Sequence, residues 1–333
     1  MLRLHIYNPE HDIALGKNSG NFTPPKAAAA ARRAYGHFPA FWAADGDWVW
    51  VDDVAHARRM LAAETRKYAD VKFVSMKDLG ALCADEMPSE VVPWGWDKLL
   101  VDRLLRCNPL FSRLVPSQER LDDIRMMSSR EFAATAVLPF LLSLDPRLVG
   151  EMRAVRSMEE VESLFQSTSM VRGNGGFVLK SPWSCSGRGV RMVSGEMTDS
   201  LSGWCRNVLR EQGLLMWEPL YDREYDFAME FMSDETAGTR YLGMNLFNTN
   251  RGAYLGNSSG TEADKWACLA RFAAPGLFDV VREGIVDITS RLFHGRYTGP
   301  FGVDMMIVRL DGTPHVHPCV ELNLRRTMGH TVL

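Results

Sequence analysis

The stretch FGVDMMIV, Phe301 to Val308, decides how this chain is read. It is a nearly continuous apolar run of strand length with one ionisable residue, Asp304, and an unpartnered buried carboxylate is costly enough that something must neutralise it. The turn signal Leu310-Asp311-Gly312-Thr313 follows, and from Val316 the residues alternate. Val316, Val320, Leu322 and Leu324 point one way; Cys319, Glu321, Asn323 and Arg325 point the other. A hairpin centred on Asp311-Gly312 places Asp304 opposite Cys319, diagonally next to Glu321 and on one face with Asn323. Two carboxylates and an amide form a hard-oxygen set suited to Mg²⁺ (or Mn²⁺), which keeps other positions for water and phosphate oxygens. Arg325, one step further, is placed to hold a carboxylate or a phosphoryl group. Pro314 and Pro318 in the second strand predict an edge or a bulge. A plainer alternative stays open on these residues alone: Asp304 caps or pairs within the sheet, and Glu321 is an ordinary half-exposed strand residue.

Working upstream, FVLK (Phe177 to Lys180) reads as a strand ending in lysine, and SPWSCSGRGV (Ser181 to Val190) as a loop of small residues. Ser186, Gly187 and Gly189 let backbone N–H groups approach an anion, and Lys180 and Arg188 add charge, which suits a triphosphate. No glycine precedes Lys180 and no helical pattern follows the loop, so it is neither a Walker A motif nor a dinucleotide fingerprint. A flexible turn between two strands is the competing reading. Leu214 to Leu220 is a short apolar strand leading into Tyr221-Asp222-Arg223-Glu224-Tyr225-Asp226. A strand joining a small unit to a larger one offers backbone groups to an adenine edge, with Glu218 or Glu224 available to an amino group or ribose hydroxyls.

Bulk properties narrow the class. The chain has 333 residues, 46% hydrophobic, enough for two or three packed units. Its 38 basic and 41 acidic residues nearly cancel, so the total charge favours neither a nucleic-acid nor a membrane-surface partner. The six cysteines are scattered without zinc spacing and read as reduced thiols. The longest apolar stretch, Ala136 to Leu144, is about half a bilayer span and contains Pro139, so the expectation is a cytoplasmic protein.

Leu2 to Tyr7 alternates as a strand and Lys26 to Tyr35 is an alanine-rich helix. Strand-like 48–51 and 71–74 alternate with helical 55–69 and 96–105, which predicts an open parallel α/β unit. The loop after the first strand carries Asn8, Glu10, His11 and Asp12, where an open sheet presents ligand-binding groups. The helical pattern of 117–138, broken by Pro139 and Pro146, leads to a second region with a charged helix at 157–166 and a glycine turn at 173–176. The expected organisation is an N-terminal α/β domain over 1–115, a linker helix and small subdomain over 116–215, and a larger subdomain over 216–333.

Lys180 before a loop ending Gly187-Arg188-Gly189-Val190, a hinge strand with Glu218 and a later Glu224, then Gly302-Val303-Asp304 and Glu321-Leu322-Asn323: in this order the chain resembles the ATP-grasp superfamily of carboxylate-amine ligase type. The likeness covers roughly residues 120–333, and the α/β unit before it agrees with the domain that usually precedes the module. The resemblance implies ATP clamped between two subdomains, an acyl phosphate, and attack by an amine or similar nucleophile with release of ADP. It implies Lys180 on the α/β phosphates, Ser186 to Gly189 over them, Glu218 and the Leu220 backbone near adenine, Glu224 on the ribose, and Asp304, Glu321 and Asn323 as metal ligands. Lys180 and Arg325 would carry the chemistry on small-molecule or peptide carboxylate and amine substrates. The lysine that such proteins place on the helix before the lid is matched by Arg130, with Lys98 a weaker candidate; this is a departure from the pattern.

Three rivals were weighed. Gly256-Asn257-Ser258-Ser259-Gly260 fits G-x-S-x-G, but Thr261-Glu262-Ala263-Asp264-Lys265 is a polar helix start and no apolar elbow helix follows, so a serine hydrolase using Ser258 fails on context. His315 and His317 share a strand face with Cys319, a transition-metal possibility. An ATP-binding protein without turnover is opposed only by the full metal set and Arg325.

Overall fold

The computed structural model describes residues 1–167, 176–184, 189–250, 253–257 and 260–333. They form two compact units, Met1–Ile124 and Arg125–Leu333.

The first unit is an open parallel sheet of β1 (Arg3–Ile6), β2 (Trp48–Trp50), β3 (Lys72–Val74) and β4 (Glu90–Pro93) in the order β3-β2-β1-β4. Leu4, Ile6, Trp50, Val74 and Val91 bury one face against Leu79, Leu100, Leu104 and Phe111. The alanine-rich helix spans Lys26–Tyr35 as expected, whereas the helix expected over 55–69 is Val54–Ala62, because the polar run from Glu64 to Asp70 has no apolar face left to bury. The fourth strand was not foreseen: four residues ending in proline carry too little pattern. The loop after β1 is buried within the unit. Asn8, Glu10 and His11 are each only 1% exposed. Asn8 Nδ2 donates to Gly95 O (2.8 Å) and Asp97 Oδ2 (3.1 Å), His11 Nδ1 lies 3.1 Å from the same Asp97 oxygen, and Glu10 Oε1 accepts from Arg32 Nη1 at 2.6 Å. These polar atoms bind the unit's own backbone and side chains, while Glu10 Oε2 and His11 Nε2 have no hydrogen-bond partner among the described residues.

The second unit contains two antiparallel sheets. The smaller comprises β5 (Arg153–Val155), β6 (Phe177–Lys180), β7 (Val190–Val193) and β8 (Leu215–Pro219) in the order β5-β8-β6-β7. Strand alternation divides its residues: Phe177, Leu179, Leu215 and Trp217 pack with Val161 and Val208 of the helices Met158–Ser167 and Asp199–Gln212, while Val178, Lys180 and Glu218 face away. The larger comprises β9 (Asp222–Asp234), β10 (Gly238–Asn250), β11 (Ala253–Asn257), β12 (Gly299–Leu310) and β13 (Thr313–Asn323) in the order β11-β10-β9-β12-β13. Its core is aromatic. Phe231 stacks on Phe301 with centroids 5.2 Å apart, and Phe293 of the helix Pro275–Phe293 meets Phe301 edge-on at 5.0 Å.

The hairpin that opened the sequence reading forms about Asp311 (φ 50°) and Gly312 (φ 79°), the two left-handed positions that a two-residue turn between twisted strands requires. The register differs from the expected one. Asp304 pairs with Glu321, not with Cys319, and Met306 pairs with His317. Two steps along β12 thus span four along β13. Pro318 lies in the irregular segment, where its missing N–H leaves no ladder bond unmade, and β13 is an edge strand.

Phe301 is fully buried between two rings. Phe301→Ala is expected to cost about 3–5 kcal/mol, measured as a lower urea midpoint with an unchanged slope.

Candidate functional site

The second unit encloses a cavity of about 560 Å³ between its two sheets. Val178, Lys180, Val190 and Glu218 line it from the small sheet, and Asp304, Met306, Glu321 and Asn323 from the large one. Because Val178 pairs with Glu218 and Lys180 with Met216, Lys180 and Glu218 are diagonal neighbours on the cavity face, and their Nζ and Oε2 lie 2.6 Å apart. Both are buried, and the second oxygen, Oε1 of Glu218, meets no hydrogen-bond donor among the described residues. A buried acceptor lacking a donor is costly and suits a ligand N–H or hydroxyl. Leu220 lines the cavity as well, with its backbone N–H on Gly176 O.

Gly189 ends the loop after Lys180. Ser181 N donates to Gly189 O at 2.8 Å, and a Cβ on Gly189 would lie 2.0 Å from Ser181 Oγ. No side chain fits there, so this glycine closes the base of the loop. Ser186, Gly187 and Arg188 lie outside the described residues, as do the 173–175 part of the glycine turn and Ser258 of the G-x-S-x-G match. The helix after that match, Glu262–Leu269, starts with a Thr261–Asp264 capping box.

Across the hairpin, Asp304 and Glu321 face each other, and Asn323 hydrogen-bonds the Asp304 carboxyl. Burial first, then the charges of Glu321 and Glu230, push the Asp304 carboxyl up to about 8, against a smaller opposing pull from Arg325 and Asn323. Arg325 Nη2 donates to Asn323 Oδ1 at 3.0 Å. Arg130 joins the two walls: Nη2 donates to Glu321 Oε2 (2.7 Å), and Nη1 to Ser181 O (2.6 Å) and Ser184 Oγ (2.9 Å). It sits beside a five-residue π-helical segment, Ala133–Val137, a distortion that often marks functional sites. Among the described residues no group of three or more His, Cys, Asp or Glu is arranged around a metal ion. The set here is two carboxylates and an amide, which fits Mg²⁺, an ion that keeps several non-protein oxygens, and does not fit a His/Cys metal. A divalent cation among these oxygens would reverse the Asp304 shift.

Other expected residues lie elsewhere. Glu224 does not line the cavity; it pairs with Arg309 at 2.8 Å, while Asp222, Arg223 and Asp226 of the same strand are on the cavity wall, with Arg223 and Asp226 3.1 Å apart. Lys98 belongs to the first unit and pairs with Asp122. His315 binds Thr313 O through Nδ1, and His317 is buried, with burial lowering it to about 3 and neither ring nitrogen hydrogen-bonded among the described residues. Glu230, Asn245, Thr327 and Gly329, all cavity-lining, were not singled out from the sequence. For Glu230 the signal existed: FAMEFM, Phe227 to Met232, is an apolar run with a single carboxylate, the same pattern that pointed to Asp304.

No family model matches the chain, and no curated protein matches it. Solved structures do. Biotin carboxylase from Campylobacter jejuni, in a complex with β-γ-ATP, aligns over 99% of this chain and 66% of its own length, at 14% identity and a TM-score of 0.57. The biotin carboxylase domain of Hydrogenobacter thermophilus 2-oxoglutarate carboxylase, solved with MgADP, ADP and bicarbonate, aligns over 98% and 65%, at 12% identity and a TM-score of 0.57. N5-carboxyaminoimidazole synthetase from Staphylococcus aureus with ADP aligns over 98% and 71%, at 13% identity and a TM-score of 0.52. The chain thus spans about two thirds of the length of these enzymes. The likeness establishes the fold: this chain shares the fold of these enzymes, a parallel α/β domain followed by the antiparallel sheets that enclose the cavity.

With its proton affinity raised in the folded state, Asp304 binds a proton that the unfolded chain has lost between about pH 4 and 8. Its contribution to stability therefore falls as pH rises through that window. In metal-free buffer, the stability of Asp304→Asn relative to wild type should increase from pH 4 to 8, by at most about 1.4 kcal/mol per pH unit, in denaturation curves measured at each pH.

Proposed function

We propose that this chain is an ATP- and Mg²⁺-dependent ligase that activates a carboxylate as an acyl phosphate for attack by an amine or similar nucleophile. The observation that carries the reading is the convergence, on one cavity in an ATP-grasp fold, of Lys180 and Glu218 with Asp304, Glu321, Asn323 and Arg325. In this reading the small subdomain ends near residue 215 and the larger one begins at 216, with ATP held between them. Glu218 Oε1 and the backbone near Leu220 take the adenine edge, and the acid for the ribose is reassigned from Glu224 to Asp226, which is on the cavity wall.

Asp304, Glu321 and Asn323 would hold the metal ion, which supplies charge neutralisation on the phosphates and orients them. Lys180 moves from Glu218 toward the polyphosphate, and Arg130, with Ser184 beside it, borders the same space. Arg325 orients the carboxylate. A carboxylate oxygen attacks the γ-phosphorus in line while ADP leaves, and these side chains act through position and charge, with little covalent chemistry of their own.

ATP, Mg²⁺ and hydroxylamine, screened against a panel of carboxylic acids, should give a hydroxamate and ADP, not AMP, with at least one acid. Asp304→Ala and Glu321→Ala should lower that turnover by at least a hundredfold while the circular dichroism spectrum is retained. Full turnover in either variant would sink the metal assignment, and saturable ATP binding without product from any acid would favour a binding protein.

A further inference from the structure

Of the two cavity-lining carboxylates that the preceding reading leaves without work, Asp222 and Glu230, the structure invests several residues in Glu230. It is fully buried at the middle of β9, beneath the wall formed by Thr327 and Gly329. A Cβ at Gly302 would lie 2.6 Å from its Oε2, and one at Gly329 1.9 Å from its Oε1. Both positions must be glycine for the carboxylate to occupy its place.

Its two oxygens are treated differently. Oε1 accepts from Thr327 Oγ1 at 2.7 Å, and that hydroxyl is fixed by accepting from Gly329 N at 3.1 Å. Oε2 lies 3.0 Å from His330 Nδ1 without a hydrogen bond. The reason follows from the ring's other contacts. Phe231 O, 3.3 Å from Nε2, can only accept, so Nε2 carries the hydrogen; Thr327 N–H, 3.1 Å from Nδ1, can only donate, so Nδ1 is bare. A carboxylate oxygen and an unprotonated ring nitrogen therefore face each other at 3.0 Å, and a proton placed between them takes the Nδ1 lone pair from the Thr327 N–H. Both are bases, both are buried, and Glu230 and Thr327 line the cavity that also presents Arg325.

Resting on the ligase reading above, we propose that Glu230 and His330 are the proton-accepting pair for the nucleophile, and that the nucleophile is an amine that arrives as an ammonium ion. The ammonium docks on Glu230 Oε2 and gives up one proton, which comes to rest between Oε2 and His330 Nδ1. The freed nitrogen lone pair forms the C–N bond at the acyl carbon, and the C–O bond to phosphate breaks with its electron pair going to phosphate. The second proton lost from nitrogen leaves with the phosphate. Thr327 holds the carboxylate in place, and Arg325 is positioned for the anion on the other side.

The test sets two nucleophiles against each other. Wild type is supplied with ATP, Mg²⁺, the acid found in the hydroxamate screen, and equal concentrations of hydroxylamine, which is largely unprotonated at neutral pH, and methylamine, which is protonated. Wild type should yield both hydroxamate and N-methylamide; Glu230→Gln and His330→Asn should lower the amide-to-hydroxamate ratio at least tenfold. A general structural defect would lower both products together and leave the ratio unchanged, and that result would overturn the assignment. Hydroxamate without any methylamide from wild type would overturn the amine as nucleophile. No hydroxamate with any acid would remove the ligase reading and this one with it. A second measurement does not depend on the variants folding for activity. In histidine-¹⁵N-labelled wild type, the His330 Nδ1 resonance should move from the bare toward the protonated position when methylammonium chloride is added with MgADP and inorganic phosphate. An unmoved resonance would overturn the proton-accepting role.

Discussion

Two carboxylates held opposite each other in a sheet, Asp304 on β12 and Glu321 on β13, impose the constraint that the rest of the cavity answers. Side chains directly opposite in an antiparallel pair are close enough that like charges repel, and their partial burial weakens the screening by water. One consequence is the raised proton affinity of Asp304. Another is the placement of cations: Arg130 hydrogen-bonds Glu321, and Arg325 binds the Asn323 amide that in turn supports Asp304. The repulsion is a cost of the fold that a divalent cation bound as proposed would remove.

The walls of the cavity are built by close approach. Gly302 and Gly329 admit the Glu230 carboxylate, and Gly189 admits the Ser181 and Ser184 hydroxyls. In each case the neighbour is a polar group, so the missing Cβ makes space for a hydrogen-bonding atom and not for backbone freedom. The β12–β13 irregularity at Pro318 does related work. By placing four residues of β13 against two of β12, it brings Glu321 directly across from Asp304.

Much of this was legible in the sequence. The run FGVDMMIV announced a buried carboxylate, Asp311-Gly312 announced the turn, and alternation placed Glu321, Asn323 and Arg325 on one face. The pairing partner of Asp304 was not legible, because register depends on how many residues a bulge absorbs, and a proline signals that a bulge exists without giving its size. Glu224 looked well spaced from Glu218, but β9 places it beside Arg309 and turns Asp226 to the cavity. The Asn8 to Asp12 loop looked like a ligand loop because its residues are polar and follow a strand; that Asn8, His11 and Glu10 also contact Gly95, Asp97 and Arg32 is a matter of tertiary contact, which local pattern does not carry. Glu230 shows the reverse case, a signal present in FAMEFM that becomes readable once one knows that a lone carboxylate in an apolar strand marks the site wall.

The Lys180–Glu218 pair completes the argument about what these buried charges are for. A buried ion pair gains little net stability, since desolvation of both groups offsets most of their attraction, and apolar residues of similar volume often serve as well. Keeping both therefore needs another reason. The pair fixes the Lys180 Nζ on the cavity face and leaves Glu218 one oxygen without a donor among the described residues. In the proposed reading, such a lysine would need only to exchange one anionic partner for another when a polyphosphate enters, and the carboxylate it leaves would regain a partner from a ligand N–H. The exchange keeps the number of buried charges that are paired nearly constant, so entry of a highly charged ligand does not strand either residue.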